Sequence, residues 1–201
     1  MKEMMKNALI LFAITVIAGA ILGGVYEMTK DTIADRQDAD KKMAYEEVLP
    51  GAADFKAVAD FMPDNVRRSL DDAGYAGVII DELNEAVMPD GTVGGYVFTV
   101  ISKEGYGGDI KFTVGISVDG TVNGISILEI SETAGLGMNA EKQLKPQFAG
   151  KNVSSFSYTK TGATLDSEID AISGATITTR AFVNGVNCCL QYIADNGEVL
   201  G

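Results

Sequence analysis

The sequence predicts an α+β fold, an antiparallel sheet with packed helices, preceded by one N-terminal transmembrane helix. Three observations predict it. The segment from Asn7 to Tyr26 carries no charged side chain. Residues Ile110 to Val118 alternate apolar and polar side chains and run into Asp119-Gly120. Near the C-terminus, Phe182, Val186, Cys189 and Ile193 recur at helical spacing. A strand buries alternate residues and a helix buries a stripe, so these separate periods imply a sheet covered by helices.

The first element is the apolar segment. About twenty helical residues at ~1.5 Å each span ~30 Å, the thickness of a bilayer's hydrocarbon core. Lys2 and Lys6 precede it, and Glu27, Asp31 and Asp35 follow, mixed with Lys30 and Arg36. Positive charge stays on the cytoplasmic side, which predicts a cytoplasmic N-terminus (1–6), a membrane span (7–26) and an extracytoplasmic remainder. Ala18-Gly19-Ala20 also resembles a signal-peptide cleavage site. The apolar run continues through Ile21, Leu22 and Val25, which favours retention of the helix. Gly19 and Gly23 form a small-xxx-small pair, common in membrane helices and weak as a signal.

From Met28 to about Val48 the sequence is polar and free of Gly and Pro, so the helix continues as a stalk (27–50), stopped by Leu49-Pro50-Gly51. The remaining residues (51–201) form the folded domain. A short helix or loop is expected around Ala52 to Leu70. Tyr75 to Met88 and Val93 to Lys103 read as strands joined at Pro89-Asp90-Gly91, and Ile110 to Val118 pairs with Thr121 to Ile130. Asp-Gly tolerates positive φ and suits such a hairpin, and the sheet has four or more strands. Asn139 to Phe148 is expected to be a helix, Val153 to Thr159 a short strand, and Thr178 to Ala194 the final helix.

Composition narrows the chemistry. A net charge of −12 excludes nucleic acid as a partner, because phosphate binding needs clustered Lys and Arg. The chain has no histidine, which excludes Ser-His-Asp and Cys-His catalysis and histidine metal sites. Its cysteines are the neighbours Cys188 and Cys189, too few for an ordinary zinc or iron–sulfur ligand set. They read as two small buried residues on a helix.

Three glycine-containing segments remain. Glu104-Gly-Tyr-Gly-Gly108 lies between strands and reads as a hairpin loop. Ser131-Glu-Thr-Ala-Gly-Leu-Gly137 follows a strand, where backbone N–H groups can face a ligand with little side-chain bulk. Asp170-Ala-Ile-Ser-Gly-Ala-Thr176 precedes the last helix. Its hydroxyls and glycine suit a phosphate at a helix N-terminus, and equally an ordinary helix cap.

Asp-x-x-Ser-Gly-Ala-Thr resembles the acceptor motif of proteins modified by flavin transferases, which cleave FAD and leave FMN joined by a phosphoester to the motif's last threonine, here Thr176. The layout extends the resemblance. One N-terminal span, Gly105-Tyr-Gly-Gly108, Glu132-Thr-x-Gly-Leu-Gly137 and the acceptor motif before the last helix occur in the order found in the G subunit of the Rnf electron-transport complex. They are also similar to its relative, the C subunit of the sodium-pumping NADH:quinone reductase. The shorter C-terminal layout favours the Rnf protein. The family often has proline where this chain has Ala134, and glycine where it has Ala171. A second Gly-Ala-Thr, ending at Thr164, lacks the aspartate.

The resemblance implies an FMN-binding domain with FMN covalently held at Thr176. Ser173, Gly174 and Ala175 would shape the phosphate turn. Glu132, Thr133, Leu136 and Gly137 would lie beside the flavin, and Asp170 would serve the transferase or the local turn. It implies an electron-carrier subunit of an ion-translocating ferredoxin:NAD⁺ oxidoreductase that moves Na⁺ or H⁺. Its partners would be membrane Rnf subunits, including a second covalent-FMN subunit and iron–sulfur subunits, with a flavin transferase for maturation. The residues alone leave two other readings open, a membrane-tethered binding module without cofactor and a stand-alone covalent flavoprotein reductase.

Overall fold

The structure is a computed structural model that describes residues 1–59 and 61–200; Gly201, the last residue of the expected domain, lies outside the described residues. The chain divides into two units, Met1–Lys41 and the remainder from Lys42 onward. Helix α1 runs through Lys2–Val48. Within the first unit it is long and apolar enough to cross a membrane, and its apolar side chains are exposed.

The second unit is built on a five-stranded antiparallel sheet in the order β1-β2-β3-β4-β5. Its strands are β1 (Asp54–Ala57), β2 (Val78–Val87), β3 (Val93–Ser102), β4 (Ile110–Ser117) and β5 (Val122–Glu129). Every neighbour in the sheet is a sequence neighbour, so short turns connect the strands. The exception is the β1–β2 connection, which holds helix α2 (Pro63–Asp72). Where the sequence predicts a short helix or loop, the chain forms both β1 and α2. β1 has four residues with little burial contrast, too few for a period to show.

The two faces of the sheet bury different material. Tyr96, Phe98 and Val100 of β3 and Phe112, Val114 and Ile116 of β4 point to the main core. Strand β2 reaches the same core with Val78 and Ile80, then with Leu83. The register shift between Ile80 and Glu82 inserts Asp81 as a bulge, which moves the inward face from even to odd positions. A second shift near Asn123 does the same for Val122 and Ile125 of β5.

Helix α5 (Thr176–Leu200) covers the main core. Phe182, Val186, Cys188 and Cys189 have no exposed surface. The rings of Phe112 and Phe182 lie 4.8 Å apart, and Tyr192 meets Phe98 edge-on at 5.8 Å. The helix approaches closest at Gly185, where an added Cβ would collide with the Phe112 ring and sit 3.2 Å from Val100 Cγ1. The cysteines serve as core residues. Burial pushes the Cys188 thiol up to about 12 and holds the Cys189 thiol well above its ordinary value, which keeps both as inert thiols.

The last turns of α1 cover the opposite face. Tyr45, Val48 and Leu49 pack on Ala86 and Val97. The Tyr45 hydroxyl donates to Glu82 Oε2 at 2.9 Å, lies 3.0 Å from Thr99 Oγ1 and accepts from Asn84 Nδ2 at 3.2 Å. Buried polar groups lose water, so such pairing is what permits Thr99 to sit inside. Glu47 accepts from Ser126 Oγ and pairs with Lys145 at 2.8 Å.

After β5 the expected helix from Asn139 to Phe148 is instead three short turns. They are a 3₁₀ turn at Gly137–Asn139, α3 (Ala140–Gln143) and α4 (Lys145–Phe148). Pro146 has no N–H to donate and breaks the helical ladder. Strand β6 (Ser157–Thr159) is shorter than expected and pairs in parallel with β7 (Glu168–Asp170), a strand the sequence does not announce.

Replacing Gly185 with leucine should force α5 off the sheet and cost about 3 kcal/mol in chemical denaturation, as overpacking a filled core does. A second expectation concerns acid. Burial opposes ionisation of Glu47, but hydrogen bonds from Lys145 and Ser126 outweigh it and hold its carboxyl below the ordinary value of 4.5. A depressed carboxyl stabilises the fold above its unfolded pKa and loses that contribution as pH falls through its folded value. Glu47→Gln should therefore flatten the loss of stability below about pH 4.5, read from melting temperature against pH.

Candidate functional site

Two glycine turns of one construction meet at the N-terminus of α5. In the first, Leu136 N–H donates to Thr133 C=O at 3.1 Å, and Gly135 takes the third position with φ +77°. In the second, Ala175 N–H donates to Ile172 C=O at 2.9 Å, and Gly174 takes the third position, also with φ +77°. Side chains resist that conformation, so glycine is required there. The second position, Ala134 in the first turn and Ser173 in the second, carries no such demand for glycine. The Leu136 side chain leans on the second turn, with its Cδ2 3.1 Å from where a Cβ of Gly174 would be.

Helix α5 begins at Thr176, two residues earlier than expected. Thr179 closes its first turn: its N–H donates to Ala175 C=O, its Oγ1 donates to the same oxygen, and Ile172 N–H donates to Thr179 Oγ1. Thr176 is thus itself in the first turn. The N–H groups of Thr176, Ile177 and Thr178 precede the first bond of the helical ladder, and the helix dipole places partial positive charge there.

Glu132 binds the surrounding segments together. Its Oε1 accepts from the N–H of Tyr106 at 2.7 Å and of Gly107 at 3.3 Å. Its Oε2 accepts from Thr178 Oγ1 at 3.1 Å. One carboxylate therefore joins the 104–108 loop, the strand-to-turn segment after β5 and the start of α5. Gly137 makes room for it, since a Cβ there would lie 2.7 Å from both Glu132 Cβ and Thr178 Oγ1. Glu104 ties the same loop further along α5, accepting from Asn184 Nδ2 at 2.8 Å and facing Arg180 Nε at 3.5 Å.

Between these segments lies an open cavity of about 460 Å³. It is lined by Tyr106, Glu132, Thr133, Leu136, Gly137 and the residues Gly174 through Thr178. Seven of the residues expected from sequence are therefore brought together: Glu132, Thr133, Leu136, Gly137, Gly174, Ala175 and Thr176. Ser173 is not among the lining residues; it is exposed at the second position of its turn. Three lining residues are not singled out by the sequence as site residues, namely Tyr106, Ile177 and Thr178. The Gly105-Tyr-Gly-Gly108 segment is visible there, but only folding carries Tyr106 to Glu132, 26 positions away.

The volume falls in the ~300–1,000 Å³ range of cofactor sites. Tyr106, Leu136 and Ile177 offer exposed apolar surface to a flat ring system. Thr176, with the N–H groups of the helix start, offers an anchor for a phosphate. The residues present fit a flavin mononucleotide.

Fold and cavity define a flavin-binding domain behind an apolar helix. The FMN-binding domain family matches residues 105–191, and the RnfG N-terminal region family matches residues 1–48. Among relatives, the G subunit of the Na⁺-translocating ferredoxin:NAD⁺ oxidoreductase complex of Acetobacterium woodii is 35% identical over 94% of this chain and 91% of its own. The G subunit of the ion-translocating oxidoreductase complex of Methanosarcina acetivorans is 32% identical over 96% of each chain. The crystal structure of Shewanella oneidensis NqrC overlaps 57% of this chain and 61% of its own, with 20% identity and a TM-score of 0.45. This chain belongs to the family of G subunits of Rnf-type ion-translocating oxidoreductase complexes.

Removing the carboxylate in Glu132→Ala should leave the Tyr106 and Gly107 N–H groups unpaired. Hydrogen exchange at those two amides should rise about tenfold or more, while exchange in β3 and β4 stays unchanged.

Proposed function

We propose that this chain is the electron-carrier subunit of a membrane-bound, ion-translocating ferredoxin:NAD⁺ oxidoreductase, working through FMN esterified to Thr176. The observation that carries the reading is the position of Thr176. It is the first residue of α5 and also part of the cavity wall. A phosphate on its Oγ1 would meet the N–H groups of the helix start, and the helix dipole would favour its charge.

The rest of the cavity then has defined tasks. Gly174 and Ala175 leave space for the phosphate turn, with Ser173 shaping it from outside. Leu136 and Ile177 supply apolar walls, and Gly137 allows a close approach. Glu132 keeps the 104–108 loop, and with it Tyr106, at the cavity edge; Thr133 closes the turn behind Leu136. Bound FMN would supply the electron chemistry, and the protein would set its position and surroundings. A covalent link suits a compartment where lost cofactor cannot be replaced from a cytoplasmic pool.

The sequence charges favour a cytoplasmic segment 1–6, a span 7–26, a helical stalk 27–50 and an extracytoplasmic FMN-binding domain 51–201. The chain carries no dinucleotide fingerprint and no iron–sulfur ligand set. Entry and exit of electrons therefore belong to partner subunits, iron–sulfur proteins and a second covalent-FMN subunit among them. A flavin transferase would perform the attachment.

Mass spectrometry of protein made with the flavin transferase should show a gain of about 438 Da, FMN less water, on the peptide that holds Thr176. Thr176→Ala should abolish it and leave the Thr164 peptide unmodified in both proteins. A bare Thr176 in that preparation would overturn the reading and leave a binding module without cofactor.

A further inference from the structure

The described cavity lining offers a phosphate backbone N–H groups and a helix dipole, but no cation. The chain as a whole carries −12, so a further negative charge enters a field that opposes it. A cation nevertheless lies one helical turn from Thr176. Arg180 is the single Lys or Arg of α5, and it stands four residues after Thr176. Residues four apart share a helix face, with Cβ atoms about 5–6 Å apart. Long helical side chains lean toward the helix N-terminus, which puts the turn opened by Thr176 within reach of the guanidinium. A negative group four residues before a positive one is also the favourable order along a helix.

Arg180 is loosely held. Its Nε lies 3.5 Å from Glu104 Oε2, and 51% of its side-chain surface is exposed. Among the described residues it donates no hydrogen bond. Glu104 does not depend on it, because Asn184 Nδ2 donates to the same Oε2 at 2.8 Å. The two terminal nitrogens of the guanidinium are therefore open to an anion. Neighbouring cations are committed elsewhere. Lys103, which precedes the 104–108 loop, pairs with Asp109 at 2.9 Å. Lys145, which follows the first glycine turn, pairs with Glu47 at 2.8 Å and Glu141 at 2.5 Å.

We propose that Arg180 is a cofactor-binding residue, the cation that pairs with the phosphate of FMN on Thr176. The inference rests on the reading of Thr176 as the attachment point. A guanidinium is a planar fork, so Nε–H can stay on Glu104 while the terminal N–H groups face the phosphate oxygens. One side chain then joins α5, the phosphate and the 104–108 loop, and it meets the phosphate charge from outside the cavity wall. Lysine would supply the charge without the fork. The rival is a plain surface pair, in which Arg180 serves Glu104 alone; such exposed pairs contribute little.

The test uses the full chain in detergent, made with and without the flavin transferase. Peptide mass first establishes FMN on Thr176. Phenylglyoxal, which adds to free guanidinium groups, then labels the arginines, and peptide mass gives the rate at Arg180. The loaded chain should react there about tenfold or more slowly than the bare chain, the factor that one charge-assisted hydrogen bond supplies. The exposed Arg67 and Arg68 should keep one rate in both. Loaded Glu104→Gln should keep the protection, since the phosphate provides it. A flavin ring lying over Arg180 would also protect it, so ³¹P NMR gives the second readout. The phosphodiester resonance should be displaced in loaded Arg180→Gln and stay near its wild-type position in loaded Glu104→Gln. Should Arg180→Gln not fold, Arg180→Lys gives the same comparison, because it loses the fork. The assignment is overturned if Arg180 reacts alike in bare and loaded chains, if Glu104→Gln abolishes the protection, or if the ³¹P resonance ignores the Arg180 substitution. A wild-type chain made with the transferase that carries no FMN would instead overturn the reading of Thr176 itself, and the role of Arg180 with it.

Discussion

Helix α5 can start where it does because it sits down on the sheet at Gly185. At that point helix backbone and the Phe112 ring are in contact, and any side chain would hold them apart. Phe182 on one side and Tyr192 on the other pack on Phe112 and Phe98, which fixes the helix along its axis. The N-terminus of α5 is therefore placed by the core, and Thr176 with it. A rigid element is a better base for a reactive group than a loop, because its position is set by many contacts at once.

The loops that face Thr176 have no core of their own, and polar ties hold them. Glu132 joins three segments with one carboxylate, using both oxygens. Glu104 repeats the device at the other end of its loop, on Asn184 and Arg180. In a chain of net charge −12 these two carboxylates act as ties rather than as surface charge. Glu132 accepts N–H and O–H donors at a helix start and in a glycine loop, where donors outnumber acceptors. The result is a cavity whose described lining holds one carboxylate and no cation, in which a phosphate would rely on backbone N–H groups and the helix dipole.

The far face of the sheet is built on another balance. Thr99 and Thr113 are fully buried there, under the last turns of α1. Such residues would weaken a purely apolar layer. Tyr45 partners Thr99, Thr113 Oγ1 donates to Ser126 C=O, and Glu47 accepts from Ser126 Oγ while Lys145 completes its charge. The segment that leaves the apolar helix is thus also part of the domain's packing, and cutting the chain at Leu49 would expose a polar and apolar seam together.

Much of this is legible in the amino-acid order. Strand β4 announces itself by strict alternation, because it is paired on both sides and the residues inserted at its register shifts lie on β5. The inward stripe of α5, the buried cysteines and the membrane-length helix follow from periodicity and composition. The site residues are legible as ordered glycine motifs, since positive φ and close approach leave glycine no substitute. Strand β2 is blurred, because the Asp81 bulge switches its inward face midway. β1, β6 and β7 are too short for a period, and Pro146 cuts one expected helix into turns. Sequence by itself determined which segments are apolar, which turn, and which threonine sits in an acceptor motif. Only the tertiary structure decided that Tyr106 and Thr178 share the Glu132 carboxylate, and that Asp170 turns away from the cavity toward Ala163. Hydrogen bonds between distant segments depend on where the sheet and α5 bring the backbone, and no local pattern encodes that distance.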